Sequence, residues 1–108
     1  MYKGLKWDIR MNKEQHYLLK LSEECSEVTK ECSKAVLFGL EGFEPNQPLT
    51  NKEKIENELS DLLSVMYELI RMGKLDESRI FDPTKITKKA IKVNRYFQIS
   101  CELGRTEK

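Results

Sequence analysis

The sequence predicts an all-α chain of three main helices. Two capping boxes, each followed by apolar residues stepping by three and four, open the first two helices, and an Asp-Pro pair opens a third periodic segment. No alternating pattern of strand type competes with them.

Residues 1–11 read as an irregular lead-in carrying the lone Trp7. Asn12 and Gln15 form the first box, and the helix they open is expected to run to Phe38, where Gly39 suits the C-terminal cap. Leu18, Leu21, Cys25, Val28, Cys32 and Ala35 define its apolar stripe. A polar stretch, Glu41 to Thr50, holds Pro45 and Pro48 and reads as a loop. Thr50 and Glu53 form the second box, opening a helix expected to end near Gly73, with a stripe of Ile55, Leu59, Leu62, Met66, Leu69 and Ile70. Asp82 before Pro83 places a cap residue ahead of a proline at the first helical position, and that helix is expected to reach Glu102. Gly104 to Lys108 are expected to fray.

With 108 residues the chain is expected to form one domain, with a modest core and a need for a partner. A helix from Asn12 to Phe38 spans about 40 Å, whereas the radius of gyration expected of a compact chain this long is about 13 Å. The expected remedy is a homodimer or higher homo-oligomer, whose central helices complete a four-helix core. Nineteen basic residues against eighteen acidic ones leave a net charge of +1, which argues against nucleic acid or a membrane surface as partner. The mixed, polar start and the absence of a long apolar run point to the cytoplasm. Three cysteines, none in a C-x-x-C pair, and one histidine, His16, argue against zinc. Cys25 and Cys32 stand about 10 Å apart along one helix, too far to bridge each other. On the stripe they are expected to act as small hydrophobes, a poor setting for a catalytic thiol.

The chemistry concentrates in two acidic signatures. Glu23-Glu24-Cys25-Ser26-Glu27 and Glu58-Leu59-Ser60-Asp61 each carry carboxylates three residues apart, which share a helix face. At about 100° per residue, Glu24, Glu27 and Glu31 fall along one edge of the first stripe, and Glu58 and Asp61 fall on the corresponding edge of the second. Packing of the two stripes would bring four carboxylates to one seam, where they repel one another unless cations are present. That donor set suits a hard divalent cation such as Mg²⁺, and carboxylate-held Mg²⁺ commonly serves to bind phosphates. A single such pair in a chain this charged is ordinarily a solvated face; Glu56 has that reading, and the matched phase of the two signatures favours a site. Basic residues on the third helix could meet the phosphates: Lys88, Lys92 and Arg95 share a face, Lys85 lies one step earlier and Lys89 on the next strip. A solvated basic face is the alternative for each of them.

Glu-Glu-x-x-Glu followed after thirty residues by Glu-x-x-Asp, over roughly Gln15 to Tyr96, resembles the all-α nucleoside triphosphate pyrophosphohydrolases. These are the MazG-like proteins, small phage-type members included, and their dimeric deoxynucleotide pyrophosphatase relatives. Leu37-Phe38-Gly39 closing the first helix belongs to the same likeness. The resemblance implies hydrolysis of a (deoxy)nucleoside triphosphate to monophosphate and pyrophosphate, with more than one Mg²⁺ held by Glu24, Glu27, Glu58 and Asp61. It implies Glu23 and Glu27 as catalytic carboxylates, and substrate contacts from Lys89 or Lys92, Asn94, Arg95 and Tyr96. The glycine common inside the first motif is Ser26 here. Trp7, His16, Phe38 and Tyr96 are candidates to stack on a base, although packing against the core is the commoner fate of an aromatic. Rival readings are a phosphoribosyl-ATP pyrophosphohydrolase of the same fold, and a non-catalytic helical dimer binding nucleotide or metal. A ferritin-like di-iron site needs Glu-x-x-His pairs, which one histidine does not supply.

Overall fold

The computed structural model describes residues 10–108, so Trp7 and the lead-in before Arg10 lie outside the described residues. Four helices follow in order: α1 (Lys13–Phe38), α2 (Asn51–Arg71), a single-turn α3 (Glu77–Ile80) and α4 (Pro83–Glu102). No strand occurs among the described residues, only an isolated antiparallel bridge between Phe43 and Thr50. None of the helices is long and apolar enough to cross a membrane. The chain divides into two units, residues up to Leu75 and Asp76–Lys108.

Local chemistry sets the boundaries of the first unit. The Gln15 N–H donates to Asn12 Oδ1 at 2.8 Å and the Asn12 N–H to Gln15 Oε1 at 3.0 Å, completing the box at α1. Glu53 N–H donates to Thr50 Oγ1 at 3.1 Å and Thr50 N–H to Glu53 Oε1 at 3.0 Å, completing the box at α2. Gly39, at φ 87°, closes α1 with its N–H on the Ala35 carbonyl. Past Arg71 the chain turns through Gly73, at φ 75°, which lets the Lys74 N–H return to the Leu69 carbonyl at 2.9 Å.

Between α1 and α2 the loop forms a clasp. Helix N-termini leave their first N–H groups without intrahelical partners. Here Asn51 N–H donates to the Gly42 carbonyl at 2.9 Å and Lys52 N–H to the Leu40 carbonyl at 2.8 Å, while Thr50 Oγ1 takes the third. The fully buried Asn51 side chain adds a bond from Nδ2 to the Gly39 carbonyl at 2.9 Å.

The α1 face turned to α2 differs from the expected stripe. Leu21, Val28 and Ala35 are half-buried as expected, but Leu18, Cys25 and Cys32 are exposed, so the thiols are not buried hydrophobes in the single chain. Their places are taken by Tyr17, Glu24 and Glu31, which interleave with Leu21, Val28 and Ala35 at steps of three and four. Glu24 and Glu31 are therefore on the packed face itself, not along its edge. On α2, Ile55, Leu62, Met66, Leu69 and Ile70 turn inward with Leu69 fully buried, whereas Leu59 is exposed. One partner helix covers only one strip of each surface, which leaves the adjacent apolar strip open.

In the second unit, Asp76 caps α3 through Ser78, and Asp82 Oδ1 accepts from the Thr84 N–H at 3.0 Å to cap α4 behind Pro83. Residues 83–99 of α4 are all exposed. Beyond α4, Gly104, at φ 71°, returns Arg105 N–H to the Ser100 carbonyl at 2.9 Å, and the Ser100 and Thr106 hydroxyls bond.

Candidate metal centre

The seam between α1 and α2 collects acid from both helices. Glu24 of α1 and Glu58 and Asp61 of α2 each turn one carboxylate oxygen into a group whose members lie within 4.8 Å of one another. Opposed oxygens stand about 4.2 Å apart across one Mg²⁺ and about 5 Å apart across one Ca²⁺. A hard cation therefore fits the group with small side-chain adjustments. The donors are all oxygen, a set that suits hard ions of this kind.

Electrostatics at the seam point the same way. The Glu58 carboxyl is held above its ordinary pKa, first by desolvation and then by Asp61, Glu27, Glu24 and Glu31 in that order. A cation would relieve this repulsion.

The other expected residues occupy different settings. Glu27 is exposed and outside the group of three, yet close enough for its charge to act on Glu58. Glu23 is exposed and bonded to Lys20 Nζ at 3.4 Å. Lys20 also approaches Glu24 Oε1 at 3.5 Å, and its ammonium is held above the usual value by Glu23 first and Glu24 next. Lys89, Lys92, Asn94, Arg95 and Tyr96 are exposed on α4 in the second unit. Lys92, Arg95 and Tyr96 line a surface concavity with Ile99, while Lys89 and Asn94 do not. His16 stacks edge-on against Tyr17 with ring centroids 5.4 Å apart.

Residues that the sequence left without a role complete the neighbourhood. A cavity of about 400 Å³ opens beside Glu58, bounded by Lys30, Glu31 and Lys34 of α1, Glu44 of the loop, and Lys54 of α2. Glu31 is buried, and its Oε2 makes no hydrogen bond; Oε1 stands 3.7 Å from Lys34 Nζ. Its signal was the seven-residue step from Glu24, which returns to the same helix strip. Lys54 lies one turn before Glu58, and Lys34 one turn after Glu31. A larger concavity at the end of α4, lined by Phe97, Gln98, Cys101 and Glu102, gathers no comparable set of charges.

No family model, no curated protein and no solved structure matches this chain.

Proposed function

We propose that this protein is a Mg²⁺-dependent nucleoside triphosphate pyrophosphohydrolase of MazG-like type, releasing pyrophosphate and a nucleoside monophosphate. The observation that carries the reading is the convergence of Glu24, Glu58 and Asp61 from two helices beside a cavity lined by three lysines and three glutamates. A cation held by these acids would adjoin a polyphosphate held by those lysines, as cleavage of a phosphoanhydride requires.

Glu24, Glu58 and Asp61 would hold the cations, and Glu27 stands outside that group. When bound, Mg²⁺ supplies charge neutralisation at the phosphate oxygens and makes a water easier to deprotonate. Lys30, Lys34 and Lys54 receive the phosphate oxygens that leave as pyrophosphate. The water oxygen forms the new bond to the α-phosphorus, and the bond to the α,β-bridging oxygen breaks, so that oxygen departs with pyrophosphate. A carboxylate must take the water proton, and Glu27, exposed at the rim, is best free to do so. Glu23 acts one step away by holding Lys20 against Glu24.

Exposed Leu18, Cys25 and Cys32 on α1 and Leu59 and Leu63 on α2 support a homodimer or higher oligomer, in which a second copy covers the open strips. The near-neutral charge favours a small nucleotide over a nucleic acid, in the cytoplasm.

The test is pyrophosphate release with and without Mg²⁺ across ribo- and deoxynucleoside triphosphates and phosphoribosyl-ATP, with the monophosphate product measured alongside. Magnesium-dependent release in equal amount is expected. Mg²⁺ binding without release from any substrate would leave the site a structural one and remove the enzymatic reading.

A further inference from the structure

The lysine-lined cavity already holds an anion of the protein's own. Glu44 Oε2 accepts from Lys54 Nζ at 3.1 Å, and Glu44 Oε1 is paired with Lys34 Nζ. One carboxylate thus engages, through its two oxygens, ammonium groups from both helices. Two oxygens of a phosphate group present the same fork to the same donors. Lys34, with Lys54 second, holds the Glu44 carboxyl below its ordinary value, and Glu44 raises Lys34.

Two features of the cleft bear on such an exchange. Glu31, whose side chain is 9% exposed, lines the cavity with an oxygen that no protein group satisfies. That oxygen can only accept, so a cation, not the anion itself, would complete it. The clasp bonds run from Gly39, Leu40 and Gly42 to the start of α2, and none uses the Glu44 side chain. Rotation about its own torsions would release both lysines without opening the loop.

Charge gives the direction of the exchange. Among the lining residues Lys30, Lys34 and Lys54 balance Glu31, Glu44 and Glu58. Withdrawing Glu44 leaves one positive charge in excess, and loading the adjacent carboxylates with Mg²⁺ adds more. A pyrophosphate group, with about three negative charges at neutral pH, then outcompetes a single carboxylate by Coulomb attraction.

We propose that Glu44 is a resident competitor in a phosphate-binding cleft: its carboxylate stands between Lys34 and Lys54 where a pyrophosphate group binds, and the ligand must displace it. This rests on the reading of the cavity as a phosphate site given above. Glu44 thereby sets the threshold for anion entry and couples it to cation loading, because the exchange is favoured once the neighbouring acids are neutralised.

The experiment is calorimetric titration, in Mg²⁺, of pyrophosphate and of an α,β-imido deoxynucleoside triphosphate into the full chain, wild type and Glu44→Gln. The amide keeps the size of the side chain and removes its charge. Glu44→Gln is expected to bind pyrophosphate about tenfold more tightly, and Lys54→Gln to lose binding. A gain with both ligands places the nucleotide's phosphate tail in the cleft, and a gain with pyrophosphate alone places the released product there. Equal or weaker binding of both ligands by a folded Glu44→Gln would overturn the proposal and leave Glu44 a brace for the loop. Should that variant unfold, Glu44→Asp, too short to span both lysines, is expected to show a smaller gain of the same sign, and no gain would overturn it equally. Since binding is read without turnover, tighter binding in a protein that hydrolyses nothing would remove the enzymatic reading and keep this one.

Discussion

Glu24 on α1 and Glu58 on α2 bring carboxylate oxygens within 4.8 Å of each other across the seam of two packed helices. Two like charges at that separation are a standing cost to the fold, and Asp61, Glu27 and Glu31 add to it. Such costs cluster at functional sites.

The first consequence is in the pH dependence of stability. The folded Glu58 carboxyl holds its proton above the ordinary value of 4.5. Between that value and the raised one the native state therefore binds more protons than the unfolded chain, and stability falls as pH rises through the window. Glu58→Gln is expected to flatten that limb of a urea-denaturation series and to raise Tm at pH 7 by roughly 2–5 °C, solvent screening keeping the gain modest. A variant as pH-dependent as the wild type over that limb would contradict the origin given for it.

Cation binding should act through the same carboxylates. Mg²⁺ at a hundred times its Kd is expected to stabilise the fold by about 2.7 kcal/mol, read as a concentration-dependent rise of Tm. In Glu24→Gln, Glu58→Gln and Asp61→Asn the rise should shrink or vanish. Glu56→Gln, on the solvated side of α2, should respond like the wild type.

Turnover should follow the same pattern. Each of the three substitutions is expected to lower the rate of pyrophosphate release by about 10²–10³-fold or more, the scale on which removing one preorganised electrostatic group acts. Full activity in Glu58→Gln would remove the metal-site assignment.

Gly42 is a structural position. A Cβ there would press into the carbonyl oxygen of Phe38, and backbone cannot yield as a side-chain tip can. Gly42→Ala is expected to cost about 1–3 kcal/mol in urea denaturation. It should also loosen the Asn51 N–H bond to the Gly42 carbonyl, visible as faster amide exchange at Asn51.

Association is checked by light scattering behind size exclusion. Leu59→Lys with Leu63→Lys, on the open strip of α2, is expected to convert a dimer at micromolar concentration to monomer with helicity retained. A wild type already monomeric there would count against the four-helix core.

The helices were legible because their ends are written in adjacent residues. Asn12 with Gln15, Thr50 with Glu53, and Asp82 with Pro83 act within one turn, so no tertiary contact can hide them. The convergence of Glu24 with Glu58 and Asp61 was legible for a related reason, since two motifs of equal phase lie on helices that must pack. The packed strip of α1 was not. Periodicity places Leu21 with Cys25 and also with Glu24, and which neighbour faces α2 depends on the helix partners present. Glu44 meets Lys34 and Lys54 through a loop path that no spacing rule describes, and the four residues of α3 are too few to show a period.

Asn51, fully buried and tied to Gly39, works as a register pin for the α1–α2 hairpin. Sliding one helix past the other by a single turn would shift their side chains by about 5.4 Å, more than the whole spread of the Glu24, Glu58 and Asp61 oxygens. The clasp forbids that slip. Affinity for a cation at this site would thus be a length measurement made at the loop, and insertions between Gly39 and Thr50 should detune it without altering any of the three carboxylates.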